Sequence, residues 1–206
     1  VFHEWAHGYV AYRCGDDTAA RLGRLTINPL AHVDPIGTVL MPGLLFLSGA
    51  PFLFGYAKPV PISWHNLRNP VRDMVYVAAA GPAMNLLLAV VSAILLGVLA
   101  RSTGVDPFGW HAADPGTFAV AGPIAAMAWR SVLVNVVLAV FNLLPIPPLD
   151  GGRVAVGLLP DSLAYPLARL EPFGFTLVFV LLLSGLLGAV LSPIVRTLIG
   201  LLSALM

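Results

Sequence analysis

The chain has 206 residues, 58% of them hydrophobic and 10% charged, with a mean hydropathy of +0.88, and a soluble globular domain rarely carries so little charge. A formal net charge of +1 excludes a broad basic surface for nucleic acid, and the single cysteine, Cys14, excludes both an internal disulfide framework and a multi-cysteine zinc module. This is the composition of a membrane protein.

The first predicted element carries the chemistry. His3, Glu4 and His7 spell H-E-x-x-H. On a helix the two histidines share one face, where both imidazoles can reach a single zinc ion, and Glu4 projects beside them to act as base on an attacking water. A water-using metal centre in an apolar helix points to an intramembrane hydrolase, with a protease as the first choice. The helix is expected over residues 1–13, closed by Gly15, Asp16 and Asp17, which favour turns. Cys14 reads as a small packed side chain. The chain begins without Met just before the first histidine, so the helix reads as the truncated end of a longer one.

From Asp16 to Asp34 the pattern is that of an interfacial or cytosolic loop, with Arg21 and Arg24 flanking a β-type stretch at residues 22–27 and with Asn28-Pro29 and Asp34-Pro35 as turn signals. Residues 37–54 are apolar, but Pro42, Gly43, Gly49 and Pro51 interrupt them, so the segment either crosses a bilayer or dips and returns. Cleaner spans are expected at about 74–100 and 119–144. A last apolar block covers 173–206, and Ser192-Pro193 is expected to break it into a hairpin of shorter helices or one kinked pair. Trp64, Trp110 and Trp129 read as interfacial anchors, and Arg130 as a charge that reaches the outer interface. The expected fold class is an all-α polytopic membrane protein: a transmembrane helix bundle with a small β or reentrant element near the cytosolic side. One membrane-embedded domain would cover 1–206, with a catalytic core in 1–150 and a helical hairpin in 173–206.

Two histidines leave a catalytic zinc site one protein ligand short of the usual three. Asp150, in the stretch Asn142-Leu143-Leu144-Pro145-Ile146-Pro147-Pro148-Leu149-Asp150-Gly151-Gly152, can supply the third. By itself that stretch reads first as an ordinary interfacial turn; beside a membrane H-E-x-x-H it reads as a ligand. Crossing parity bears on this. If 37–54 dips and returns, two spans separate the motifs, and Asp150 comes back to the face of His3 and His7. Arg13, Arg21, Arg24, Lys58, Arg68 and Arg72 then share that face, while the loop at 102–116 carries Asp106 and Asp114 and no Lys or Arg. Positive charge assigns this face to the cytosol. Asn85 and Asn142 are amides in apolar spans, so each is expected to face the protein interior, as interhelical packing or as a member of the site. His65 and His111 read as solvated loop residues.

Together these stretches resemble a known family. H-E-W-A-H at 3–7, Asn28-Pro29-Leu30-Ala31-His32-Val33-Asp34-Pro35, Ala57-Lys58-Pro59-Val60-Pro61, Ala80-Gly81-Pro82-Ala83-Met84-Asn85 and the Asn142 to Gly152 stretch occur in the order found in the site-2 protease family of intramembrane zinc metalloproteases. The chain is similar in particular to its compact bacterial members without a PDZ domain. The resemblance implies one zinc ion held by His3, His7 and Asp150, Glu4 as general base, and a role near the zinc for Asn142, holding substrate backbone or an oxyanion. His32 falls in a shared loop motif whose spacing implies nothing about coordination. The implied partner is a membrane-anchored protein cut within its transmembrane segment, in a bacterial cell membrane, for regulated release. Residues 22–27 and 37–61 are candidates for the edge that binds an extended substrate and for a gate. Two other classes fit parts of the pattern: a metal-ion transporter, for which Glu4 has no purpose, and a catalytically silent scaffold.

Overall fold

A computed structural model describes residues 1–49, 55–104 and 115–206, with side chains described from Val120 onward in the last stretch. The expectations for Trp110, His111, Asp106 and Asp114, and for the 50–54 part of the interrupted segment, lie outside these residues. Nine α-helices are described: α1 Phe2–Arg13, α2 Thr18–Arg21, α3 Met41–Leu47, α4 Pro70–Thr103, α5 Pro115–Asn142, α6 Asp150–Leu158, α7 Asp161–Ala168, α8 Gly174–Leu183 and α9 Leu186–Leu202. The chain forms two compact units, Val1–Gly81 and Pro82–Met206.

In the first unit α1 ends where expected. Gly15 has φ +114°, a left-handed conformation that only glycine adopts without strain. Ala11 on α1, Leu67 and Val77 make a small buried core, with Val10, Cys14, Ile62 and Trp64 packed on it. Trp64 is partly buried against this core. The start of α4 is set by Pro70 in its first turn and by Asp73, whose Oδ2 reaches back to accept from the Asn69 N–H at 2.9 Å.

No strand occurs among the described residues, which corrects the β-type reading of 22–27. A strand needs a partner edge, and here side chains occupy the backbone groups instead. The Thr26 carbonyl meets His32 Nε2 at 2.8 Å, and the Asn28 N–H donates to Thr26 Oγ1 at 3.1 Å. The Asn-Pro and Asp-Pro pairs are turn signals as expected. Asn28 Oδ1 accepts from the Leu30 N–H at 3.1 Å, and Asp34 Oδ1 from Ile36 and Gly37 at 3.0 and 2.7 Å, so each caps the turn that its proline opens.

The Asp34 cap opens a wide-turned helix, Pro35–Leu40, that runs into α3 and makes a continuous helix Pro35–Leu47. Thirteen residues rise only about 20 Å, short of the roughly 30 Å of a bilayer core. By Tyr56 the chain is back beside its start: the Tyr56 N–H donates to the Gly37 carbonyl at 3.1 Å, Thr38 Oγ1 to the Tyr56 carbonyl at 2.9 Å, and the Lys58 N–H to the His32 carbonyl at 2.9 Å.

In the second unit the long helices pack through small residues. Ala89 and Ala93 on α4, four apart, meet Val132, Val136 and Val140 of α5, with Leu191, Val195, Leu198 and Ile199 of α9 packed on them. One turn further along α4, a side chain at Gly97 would collide with the Leu205 carbonyl. Small residues at this spacing let helices approach closely where lipid supplies no hydrophobic drive. Ser92 Oγ and Ser131 Oγ meet at 2.8 Å between α4 and α5, and Asn135 Nδ2 donates to Ser131 Oγ at 3.2 Å. Trp129, partly buried, packs on two buried clusters here.

Among the described residues four helices are long and apolar enough to cross a membrane: Pro70–Thr103, Val120–Asn142, Asp161–Leu183 and Leu186–Leu205. Their outer faces carry exposed apolar side chains such as Leu87, Val91, Leu95, Val134, Phe179 and Leu183, the surface that lipid covers. The expected spans at 74–100 and 119–144 correspond to α4 and α5. Arg130 is exposed and falls inside α5, not at its end. The terminal hairpin turns at Ser184-Gly185 rather than at Ser192-Pro193. Gly185 has φ +75°, whereas Pro193 sits inside α9 and costs it one main-chain donor; next to it Ser192 Oγ bonds the Gly188 carbonyl at 2.6 Å.

Candidate metal centre

On α1 the two motif histidines stand one turn apart with their rings edge to face and their Nε2 atoms 3.0 Å apart. Two nitrogens bound to one tetrahedral ion at about 2.0–2.1 Å stand roughly 3.3 Å apart, so this pair fits a shared zinc. His7 Nδ1 lies 2.6 Å from the Val77 carbonyl on α4. A carbonyl oxygen only accepts, so Nδ1 carries the proton and Nε2 keeps the lone pair that a metal needs. His7 is buried, which keeps water from competing for that bond.

Gly81 completes the cradle. A Cβ built there would overlap His7 Nε2 and the Cε1 atoms of both histidines, so α4 presents bare backbone to the two rings. Gly8, on α1, does the same for the neighbouring loop: its Cβ would come within 2.9 Å of Val60 Cγ1 and 3.3 Å of Leu25 Cδ1.

Glu4 is half-buried, and its Oε2 accepts from the Val60 N–H at 3.1 Å. Val60 is flanked by Pro59 and Pro61, which have no N–H, so it is the lone main-chain donor of the three. This anchor for Glu4 was missed by reasoning from the sequence; the Pro-Val-Pro pattern was its only trace.

In the second unit α5 ends at Asn142, and irregular backbone runs to Asp150, the first residue of α6. Gly151 and Gly152 are buried, and a Cβ on either would run into the Leu143 and Leu144 carbonyls or the Pro147 backbone. The paired glycines therefore let the chain pass close to these backbone groups. Asp150 is half-buried, with Oδ2 out of solvent. The two imidazoles of the first unit and the Asp150 carboxylate of the second are ligand types that suit a divalent metal ion.

The model of Peptidase family M50 matches residues 1–185. This chain belongs to peptidase family M50. The M50 assignment is the site-2 protease family that the motifs resemble, and with four apolar helices it makes the chain an integral membrane protein. Among M50-related proteins it is 37% identical over 205 residues to "Putative zinc metalloprotease YwhC" of Bacillus subtilis (strain 168), covering 95% of this chain and 81% of the relative. It is 33% identical over 187 residues to "Putative zinc metalloprotease Rip2" of Mycolicibacterium smegmatis, and 29% over 186 residues to the protein of the same name from Mycobacterium tuberculosis (strain H37Rv). Those two alignments cover 88% of this chain and 62% of each relative. No solved structure matches the chain.

The other residues singled out in this M50 peptidase divide as follows. Asn85 is 2% exposed in α4, and its Nδ2 has no hydrogen-bond partner among the described residues. Asn142 spends its amide on the Leu138 carbonyl one turn back, at 2.9 Å. His32 is buried and clamps the loop through Thr26 and Lys58, a structural role, while His65 is exposed as expected.

Asp16 holds the far end of the Pro-Val-Pro segment. Its carboxylate accepts from the Ser63 N–H at 2.7 Å, Asn66 Nδ2 at 3.1 Å, the Thr18 N–H at 3.1 Å and the Thr18 hydroxyl. Burial alone would push its pKa up, but these donors outweigh it and hold Asp16 below the ordinary carboxylate value. A depressed carboxyl takes its proton less readily when folded than when unfolded. Its stabilisation is therefore full above about pH 4 and is lost as pH falls through the folded pKa. Asp16→Asn should cost about 1–3 kcal/mol at neutral pH. Thermal unfolding in detergent should show the wild type converging on the variant below about pH 4, and parallel pH curves would refute the assignment.

Proposed function

We propose that this M50 chain is a zinc metalloendopeptidase that hydrolyses peptide bonds within transmembrane segments of membrane-anchored proteins, releasing them in a regulated way. His3, His7 and Asp150 hold one zinc ion. Residues 1–206 act as one membrane-embedded protease domain, with the core in 1–150 and the 173–206 hairpin outside it. The observation that carries the reading is the α1 arrangement: paired Nε2 atoms 3.0 Å apart, the second imidazole fixed as a ligand tautomer by Val77, and a carboxylate oriented beside them by Val60.

When bound, zinc supplies Lewis acidity that lowers the pKa of water and polarises the scissile carbonyl. The chain's own groups do the rest. Glu4, with Oε2 held by Val60, accepts the proton of the attacking water at its other oxygen and passes it to the departing amine. Asn85 and Asn142 orient substrate backbone or its developing oxyanion; the buried, uncommitted amide of Asn85 supports the first of these assignments. The Pro35–Leu47 helix and the return at Tyr56 form a segment that dips into the cytosolic face of a bacterial cell membrane and comes back to it, admitting water and an unwound substrate.

Zinc analysis and cleavage of a model transmembrane peptide test the ligand set. His7→Ala and Asp150→Ala should each lower zinc affinity at least tenfold and remove detectable cleavage. Full zinc content in Asp150→Ala would remove that residue from the site.

A further inference from the structure

Arg24 spends its guanidinium on main-chain carbonyls. Nη1 donates to the Ala31 carbonyl, and Nη2 to those of Lys58 and Pro59 at 2.9 and 3.3 Å. The Pro59 carbonyl belongs to the same peptide unit as the Val60 N–H, the donor that holds Glu4 Oε2 at 3.1 Å. Cation, peptide and carboxylate thus stand in series. A guanidinium that draws on the oxygen of a peptide strengthens its N–H as a donor, because hydrogen bonds in a chain polarise one another. The two flanking prolines limit φ on either side and offer no competing N–H. The fork also fixes the carbonyls of Lys58 and Pro59 together, a geometry that suits a planar guanidinium better than an ammonium.

We propose that Arg24 is a positioning residue for the general base, acting on Glu4 through the Pro59-Val60 peptide unit. Arg24 fixes where Oε2 is held, and so where the second carboxylate oxygen of Glu4 points. This rests on the reading of Glu4 as base. It separates Arg24 from Arg21, which pairs with Asp17 at the surface at 2.6 Å and has no route to the site.

The test uses the full chain, loaded with zinc in detergent, as wild type, Arg24→Gln, Arg24→Lys and Arg21→Gln. Val60 amide hydrogen exchange, followed by NMR with nitrogen-labelled valine, is measured beside zinc content and the kcat and KM for a transmembrane peptide. Arg24→Gln should exchange the Val60 amide about tenfold faster and lower kcat about tenfold with KM and zinc content unchanged. Arg24→Lys should recover part of both losses, and Arg21→Gln should match wild type. Unchanged Val60 exchange in Arg24→Gln, or a kcat loss matched by lost zinc, overturns the proposal. If Arg24→Gln does not fold, Arg24→Lys decides: wild-type kcat and Val60 exchange refute the relay. A wild type that does not cleave the peptide refutes the protease reading instead, and leaves the exchange measurement to judge the relay.

Discussion

Glu4→Gln should lower kcat for a transmembrane peptide by about 10²- to 10⁴-fold, the usual worth of a positioned general base, while zinc content stays at the wild-type level. The two outcomes separate because Glu4 is held by Val60 through one oxygen. A glutamine carbonyl can still accept that bond, so the side chain keeps its place. What disappears is the group that takes the proton, since an amide is not a base near neutral pH. The His3 and His7 nitrogens and the His7 contact with Val77 are untouched. Metal analysis and steady-state kinetics on one preparation are sufficient. Retained cleavage would show that another group accepts the proton. Metal uptake into vesicles at the wild-type rate, with cleavage absent in both proteins, would favour a transporter.

Gly81→Ala should remove zinc binding and cleavage together while leaving the helix intact. Two effects oppose each other here. Alanine is the better helix former by about 0.8–1.0 kcal/mol, so α4 itself gains. But the added methyl would occupy the space of His7 Nε2 and of the His3 and His7 Cε1 atoms. His7 cannot easily swing aside, because its other nitrogen is tied to Val77 on the same helix, 2.6 Å away. Overpacking a fixed contact costs about 1–3 kcal/mol, and the rings relieve it by leaving the ligand geometry. Zinc affinity should fall at least tenfold, and kcat/KM in proportion, with helical content unchanged by circular dichroism. Wild-type zinc binding in Gly81→Ala would mean that α4 does not press on the histidine pair.

The membrane character, the long spans and the pairing of the two α1 histidines were legible because each rests on a local pattern. A single stretch of about twenty apolar residues satisfies its own backbone hydrogen bonds in lipid by forming a helix, and H-E-x-x-H puts two imidazoles on one face through the helical period alone. The hairpin turn was misread because proline was weighted above glycine. Pro193 only deletes one donor, while Gly185 supplies a left-handed turn that no other residue type makes cheaply. The β-type reading of 22–27 failed because composition reports preference for extended backbone and says nothing about whether an edge is there to pair with.

The sequence by itself determined that two imidazoles and a carboxylate stand within one stretch of α1, because residue type and helical spacing are properties of neighbouring residues. Tertiary structure alone decided how those groups are prepared. The tautomer of His7 depends on a carbonyl 70 residues away, the aim of Glu4 on an N–H 56 residues away, and the room for both rings on a missing side chain at Gly81. Such contacts join segments with no shared periodicity, so nothing in the local order of residues announces them until the chain has packed.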